Sequence, residues 1–429
     1  MGGSAFSDLE NPPVTPRMPT DVYEQAKASC HASLKELFVF VDTPVEGPAK
    51  ADHGDIDILV ADERRSTPRD AEDDITPTPL PTLHAKIREA LGAEYHKTVH
   101  NTTNLAIPWP GSDGQKHIQV DVRICKNAEE LNWYLFKHGH GDLWNLLGST
   151  IRPFGLTVDE AALWIRIPEI EKFDRKKAKI LLTRSPSAIP TFLGLSLEPF
   201  ESNKSFPTVE ALYTYVTTCK YFFVRPASED DNADDAGLIG GEEGVKKLKS
   251  NDRQRMRQRV VYRNWIEEYI PSLREQGLHV RPDVSIQEMR AKVKEDAFAA
   301  FDVEAEWNKR LHEWRLQKNV EATKKLIKEI IPAEVENVHY RGCLLSGLKK
   351  IIMEDGDPTG FESISRPDFK DEDGLYNEEV IRRFVEEKLD EVGKVAWEVQ
   401  LARSREAMQK KREKELLAEK DILVAEKAC

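Results

Sequence analysis

The sequence predicts an α+β protein: an N-terminal mixed sheet with flanking helices, followed by a mostly α-helical C-terminal half. Three observations predict it. In residues 117–125, Ile118, Val120, Val122 and Ile124 share one face while Gln119, Asp121 and Arg123 share the other, the period of a half-buried strand. From Glu129 onward the strand signal fades, and Leu, Ile, Phe and Trp recur at helical spacing up to about Phe223. Near the end, Ile381, Phe384, Val385, Leu389, Val392, Val395 and Val399 form an apolar stripe behind a cap at Asn377.

The elements follow in order. Residues 1–20 are polar and proline-rich, without the basic and apolar blocks of a leader, and read as a flexible tail. A helix begins at Asp21, Leu37 to Val41 is a buried strand, and the turn DTPVEGPAKADHG leads to a second strand, Asp55 to Val60. Residues 61–81 read as a long exposed loop, Leu83 to Leu91 as an amphipathic helix, and His96 to Trp109 and His117 to Cys125 as two strands joined by a Pro-Gly-Ser-Asp-Gly hairpin turn.

The expected organisation is a tail over 1–20, an α/β domain over 21–128, a helical domain over 129–225 and an acidic loop or linker over 226–250. A helical region over 251–353, a loop over 354–376 and a long C-terminal helix over 377–429 complete it. The linker rests on residues 226–244, which carry seven acidic groups and no basic one. Beyond Leu401 the stripe thins into charged sequence suited to a projecting helix or to a protein partner.

Composition narrows the classes. The net charge of -13 over 429 residues excludes a surface built throughout to coat nucleic acid, so any such contact is local. Cys30, Cys125, Cys219, Cys343 and Cys429 show no zinc or disulfide spacing, which fits a reduced, intracellular compartment, cytoplasmic or nuclear. No run of about 18 apolar residues occurs, so no membrane span is expected.

The chemistry centres on Gly54-Asp55-Ile56-Asp57-Ile58-Leu59-Val60. Side chains two apart in a strand share a face, so Asp55 and Asp57 project together while their neighbours enter the core. Adjacent carboxylates repel unless a cation lies between them, and Mg2+ or Mn2+ suits one or two carboxylates completed by substrate phosphates. Asp121, facing opposite its apolar neighbours on a later strand, is the candidate third ligand of a two-metal site. The competing reading is that the pair solubilises a sheet edge. Aspartate is depleted in Val/Ile-rich strands, which favours the metal site, whereas Asp52 reads as a turn residue.

On these residues the chain resembles the nucleotidyltransferase superfamily, the polymerase-beta-like fold shared by tRNA nucleotidyltransferases, poly(A) polymerases and antibiotic adenylyltransferases. The resemblance covers residues 30–125. It implies a helix and strand, a Gly-Ser turn, an acidic D-x-D strand and a third acidic residue, matched by Asp55, Asp57 and Asp121. Asp42-Thr43 stands where Gly-Ser is expected: Thr43 keeps a hydroxyl, but Asp42 repels phosphate. Thr43, Lys50 and Gly54 are the candidate nucleotide-binding residues. Residues 138–222, with HGHGDLWNLLGSTIRPFGL, resemble the helical region attached to this fold in a fungal-type branch, which implies that Gly141, Asp142 and Arg152 line the far side of the cleft. The implied activity is transfer of a nucleoside monophosphate from an NTP to a hydroxyl acceptor. The alternative is a catalytically silent scaffold that binds a protein partner through its helical C-terminal half.

Other residues admit two readings. His138 and His140 lack a third ligand at metal spacing and read as loop residues. Trp144 and Trp164 sit in apolar surroundings that suit core packing, with base stacking the alternative. Residues 246–263 carry eight basic groups against one acid, either pairing with the acidic loop or neutralising an RNA acceptor.

Overall fold

The computed structural model describes residues 5–64, 78–112, 115–225, 236–248, 250–281, 283–332, 335, 337–356 and 358–427. The chain divides into two compact units, residues 1–305 and 306–429. The boundary falls inside the helical region expected over 251–353, in the first turn of the helix Glu304–Ile330; the preceding helix, Ile286–Phe301, ends at Asp302 in a left-handed conformation (φ 49°).

The first unit begins with β1 (Met18–Pro19), α1 (Thr20–Lys35), β2 (Phe38–Asp42), β3 (Asp52–His53), β4 (Ile56–Glu63) and α2 (Leu80–Ala90). Then come β5 (Tyr95–Val99), β6 (Thr102–Pro108), β7 (His117–Ile124), α3 (Ala128–His138) and α4 (Leu143–Ile151). The main sheet has the order β2-β4-β7-β6-β5. Strands β4 and β7 are parallel and the other neighbours antiparallel, so the sheet is mixed.

Strand alternation decides what each face does. Even-numbered Ile56, Ile58 and Val60 of β4 and Ile118, Val120, Val122 and Ile124 of β7 enter the main core. Helix α1 covers that core with Tyr23, Ala26, Cys30 and Leu34, spaced for one helical face, and α2 adds Leu83 and Ile87. On the odd-numbered face, Leu59, Ala61 and Cys125 pack against Leu131 and Tyr134 of α3. Helix α3 starts where Asn127 accepts a hydrogen bond from the Glu130 amide at 2.9 Å. It covers only part of this face, and the remainder carries Asp57 and Asp121.

The structure corrects several expectations. Residues 5–19 are packed rather than a flexible tail: Phe6 is 2% and Met18 0% exposed, the His117 amide donates to the Val14 carbonyl at 2.8 Å, and Met18 pairs with His53. Polar and proline-rich composition hid these two apolar anchors. Residues 96–109 form two strands, because the chain turns at His100 (φ 54°) and pairs β5 with β6. The region expected to be helical over 129–225 also holds a three-stranded antiparallel sheet of β8 (Leu156–Val158), β9 (Leu163–Arg166) and β10 (Lys179–Thr183). Such short apolar strands carry no period that separates them from helix.

Of the expected loop 61–81, residues 61–63 extend β4, and 65–77 lie outside the described residues. Residues 226–235 and 249 of the expected acidic linker also lie outside them; its described part includes helices Ala236–Ile239 and Gly241–Lys247, with Leu238 and Ile239 buried.

The second unit packs Leu326, Ile327, Leu344, Leu348, Ile351, Phe361, Phe369, Phe384, Val385 and Val392 into its own core. Its last helix, Glu378–Lys427, begins where Asn377 accepts from the amides of Glu379 and Val380 at 3.0 and 3.2 Å. No helix among the described residues is long and apolar enough to cross a membrane.

Candidate active site

Parallel pairing of β4 with β7 sets Asp57 directly beside Asp121, one step from the pair Ile56 and Val120. Asp55 stands just before β4 on the same face, and all three aspartates line one cleft of about 540 Å3 in the first unit. That volume suits a nucleotide-sized ligand. Burial pushes the Asp55 carboxyl up to about 6, with the Asp121 charge adding to the shift. Burial and the charges of Asp55 and Asp121 push Asp57 up to about 7, although its side chain is exposed to the open cleft. Asp121 is also raised by burial, against hydrogen bonds from Asn104 and Gln119 that favour its charged form.

Basic side chains line the same cleft. Lys137 comes from α3, Arg255 from the helix Ser250–Gln258, and Arg259 from the residue after it. Burial lowers the Lys137 pKa, and the charges of Arg255 and Arg259 lower it further, against the opposing charges of Glu160 and Asp159. Its ammonium makes no hydrogen bond among the described residues. Arg259 is anchored to Asp142 at 2.8 Å, and Arg255 to Asp252. Asp252 is 2% exposed and also holds Arg152 at 2.8 Å, so one buried carboxylate fixes both Arg152 and Arg255.

The loop after β2 lines the cleft as well. Its backbone is tied to the turn following α3, where the His140 amide donates to the Val45 carbonyl at 2.7 Å. Gly141 adopts φ 64°, and a Cβ built there would stand 2.9 Å from the Gly47 Cα, so this approach requires glycine. Within the loop, Lys50 is paired to Glu46, which accepts from the Tyr23 hydroxyl at 2.8 Å. Tyr23 stacks on His53 with ring centroids 3.8 Å apart.

The expected residues divide accordingly. Asp55, Asp57, Asp121, Thr43 and Lys50 line the cleft; Gly54 is buried behind it and is not among the lining residues. The Thr43 hydroxyl lies 2.7 Å from His31 Nε2, and its amide donates to Asp42 Oδ1 at 2.8 Å, so the turn at the expected Gly-Ser position is closed by its own side chain. Gly141 lines the cleft, while Asp142 and Arg152 act through Arg259 and Asp252. Asp52, expected in a turn, lies in β3 and pairs with Arg17 at 2.7 Å. His138 lines the cleft and pairs with Glu160 at 2.9 Å, whereas His140 is buried. Trp144 lines the cleft, its indole donating to the Phe136 carbonyl at 2.9 Å. The Lys179 ammonium sits over Trp164 at 5.5 Å.

Sequence reasoning missed Lys137, for which no local signal exists, and the stack in which Arg123 lies 3.9 Å over the Tyr134 ring. The shared face of Asp121 and Arg123 was a usable signal for the second. Among the described residues no group of three or more His, Cys, Asp or Glu side chains is already gathered to hold a metal ion. The donors are nevertheless hard oxygen ligands crowded by like charge, which suits Mg2+ or Mn2+ completed by phosphate oxygens.

No protein-family model matches the sequence, and no curated protein matches it. Among solved structures the chain is similar to Leishmania infantum polymerase beta. For its ternary P/T complex the TM-score is 0.31 with 13% identity, covering 43% of this chain and 75% of that chain. For its ternary gap complex the TM-score is 0.31 with 13% identity, covering 42% of this chain and 68% of that chain.

Proposed function

We propose that the chain is a metal-dependent nucleotidyltransferase that moves a nucleoside monophosphate from an NTP to a hydroxyl acceptor, with pyrophosphate leaving. The observation that carries this reading is the register pairing of Asp57 with Asp121 in a cleft that Lys137, Arg255 and Arg259 also line. Carboxylates and cations gathered in one cleft match a substrate whose triphosphate needs both metal and direct positive charge.

Asp55, Asp57 and Asp121 are the residues that would hold Mg2+ or Mn2+. Bound there, a divalent cation lowers the acceptor hydroxyl's pKa and neutralises charge on the attacked and leaving oxygens. Lys137, Arg255 and Arg259 orient the triphosphate and stabilise the charge that builds on the leaving pyrophosphate. Asp121 orients the acceptor hydroxyl and takes up its proton as the oxygen attacks the α-phosphate. Anchoring to Asp252 and Asp142 holds the arginines in place before substrate arrives.

A second reading has its own support. The hydrogen bonds of Thr43 to Asp42 and His31 engage the groups that a Gly-Ser turn offers to phosphate. That favours a silent scaffold, whose protein partner would bind the projecting part of the helix Glu378–Lys427, where Leu401, Met408 and Leu416 are exposed.

Calorimetry of each NTP, with and without Mg2+, for the wild type and Asp57→Asn decides between them. Metal-dependent binding lost in the variant supports the enzyme; no binding of any NTP by the wild type supports the scaffold.

A further inference from the structure

The third carboxylate is held by more than its strand. Gln119 lies two residues before Asp121 on the same face of β7 and is 3% exposed. Its Nε2 donates to both carboxylate oxygens of Asp121, at 3.0 and 3.1 Å. Its Oε1 accepts from the backbone amide of Ala5 at 3.1 Å. The Ala5 amide is therefore the first link of a chain that ends on the Asp121 carboxylate.

The Ala5 end is secured independently. Phe6 is buried, Asp8 pairs with Lys97 at 2.6 Å, the Val14 carbonyl accepts from His117, and Arg17 pairs with Asp52. Residues 5–19 thus run from Gln119 to β3, and β3 leads through Gly54 into Asp55. One segment touches the supports of the first and third carboxylates.

We propose that Gln119 is a positioning residue for divalent-metal binding, and that the N-terminal segment sets its orientation through the Ala5 amide. This rests on the nucleotidyltransferase reading. An amide that can both accept and donate is required: Oε1 is fixed by Ala5, which leaves Nε2 facing Asp121. The donor occupies lone pairs on one side of the carboxylate and fixes its plane, so that the other side faces the cleft. Outer hydrogen bonds of this kind typically change metal affinity by about 10- to 100-fold. An apolar residue at 119 leaves the Asp121 carboxylate with the Asn104 hydrogen bond but without the Gln119 one, and the Ala5 amide without its acceptor.

The test titrates Mn2+ alone into the wild type, Gln119→Leu, Ala5→Pro, the Gln119→Leu/Ala5→Pro double variant, Asp121→Asn and Gln119→Leu/Asp121→Asn, with thermal unfolding measured for each without metal. Ala5→Pro removes the N–H and leaves Gln119 in place. Gln119→Leu is expected to weaken Mn2+ binding about tenfold, and Ala5→Pro to weaken it by less. Adding Ala5→Pro to Gln119→Leu is expected to cause no further loss, since both act through one link, and Gln119→Leu is expected to have no effect in an Asp121→Asn background. A merely structural role would lower the unfolding temperature and leave affinity unchanged. Binding that is indifferent to Gln119→Leu, or losses that add in the double variant, overturns the proposal. Absence of Mn2+ binding by the wild type overturns the metal-dependent reading itself and this proposal with it.

Discussion

Asp57 and Asp121 are register partners on the adjacent parallel strands β4 and β7. Their facing carboxylates, joined by Asp55, concentrate negative charge where the sheet lacks the cover of α3, and the pKa values of all three rise.

That charge predicts how stability depends on pH. Asp55 and Asp57 bind protons more tightly folded, at about 6 and about 7, than in an unfolded chain near ~3.9. Their contribution is fully present below the unfolded value and is lost as pH rises through the folded values. The unfolding temperature of the metal-free protein should fall between pH 5 and pH 8. Asp57→Asn should flatten that decline, and Mg2+ should stabilise the wild type more at pH 8 than at pH 5. Calorimetric melting across this range checks it; a wild-type curve that rises toward pH 8 contradicts the assignment.

Asp121→Ala should abolish nucleotidyl transfer with the fold intact by circular dichroism. An unchanged transfer rate would remove Asp121 from the proposed mechanism.

Lys137 should contribute direct charge to phosphate binding. Lys137→Met is expected to weaken NTP affinity about tenfold, the equivalent of ~1.4 kcal/mol. Arg259→Ala should act in the same direction and also release Asp142. Titration at two salt concentrations checks both, since loss of a phosphate contact reduces the salt slope.

Two exposed arginines of the basic helix test nucleotide and RNA binding separately. Arg253 and Arg257 are exposed and do not line the cleft, unlike Arg255 and Arg259. Replacing Arg253 and Arg257 with alanine should leave NTP affinity unchanged. If RNA is the acceptor, the same pair should flatten the salt dependence of RNA binding in electrophoretic assays; an unaltered slope would exclude this face as an RNA contact.

Gly141→Ala should destabilise the first unit by about 2 kcal/mol, from the positive φ and the approach to Gly47. Urea unfolding measures it. A neutral substitution would show that the two backbones can separate without cost.

Much of the carboxylate constellation was legible because it is local. Period-2 alternation assigns Ile56, Ile58 and Val60 to the core and Asp55 and Asp57 to the opposite face, and applies equally to Asp121 among its valines. The stripe from Ile381 to Val399 is legible for the same reason, as a helix repeats its faces every ~3.6 residues. Tertiary structure alone decided which distant groups meet those faces. Lys137 reaches the cleft from α3 and Arg255 and Arg259 from a segment more than a hundred residues later, and Ala5 meets Gln119 across 114 residues of sequence. It also decided that residues 5–19 are packed, through Phe6 and Met18. Backbone geometry sets the direction of a side chain within its own strand or helix, but its partners depend on how those elements pack, and no local period records that.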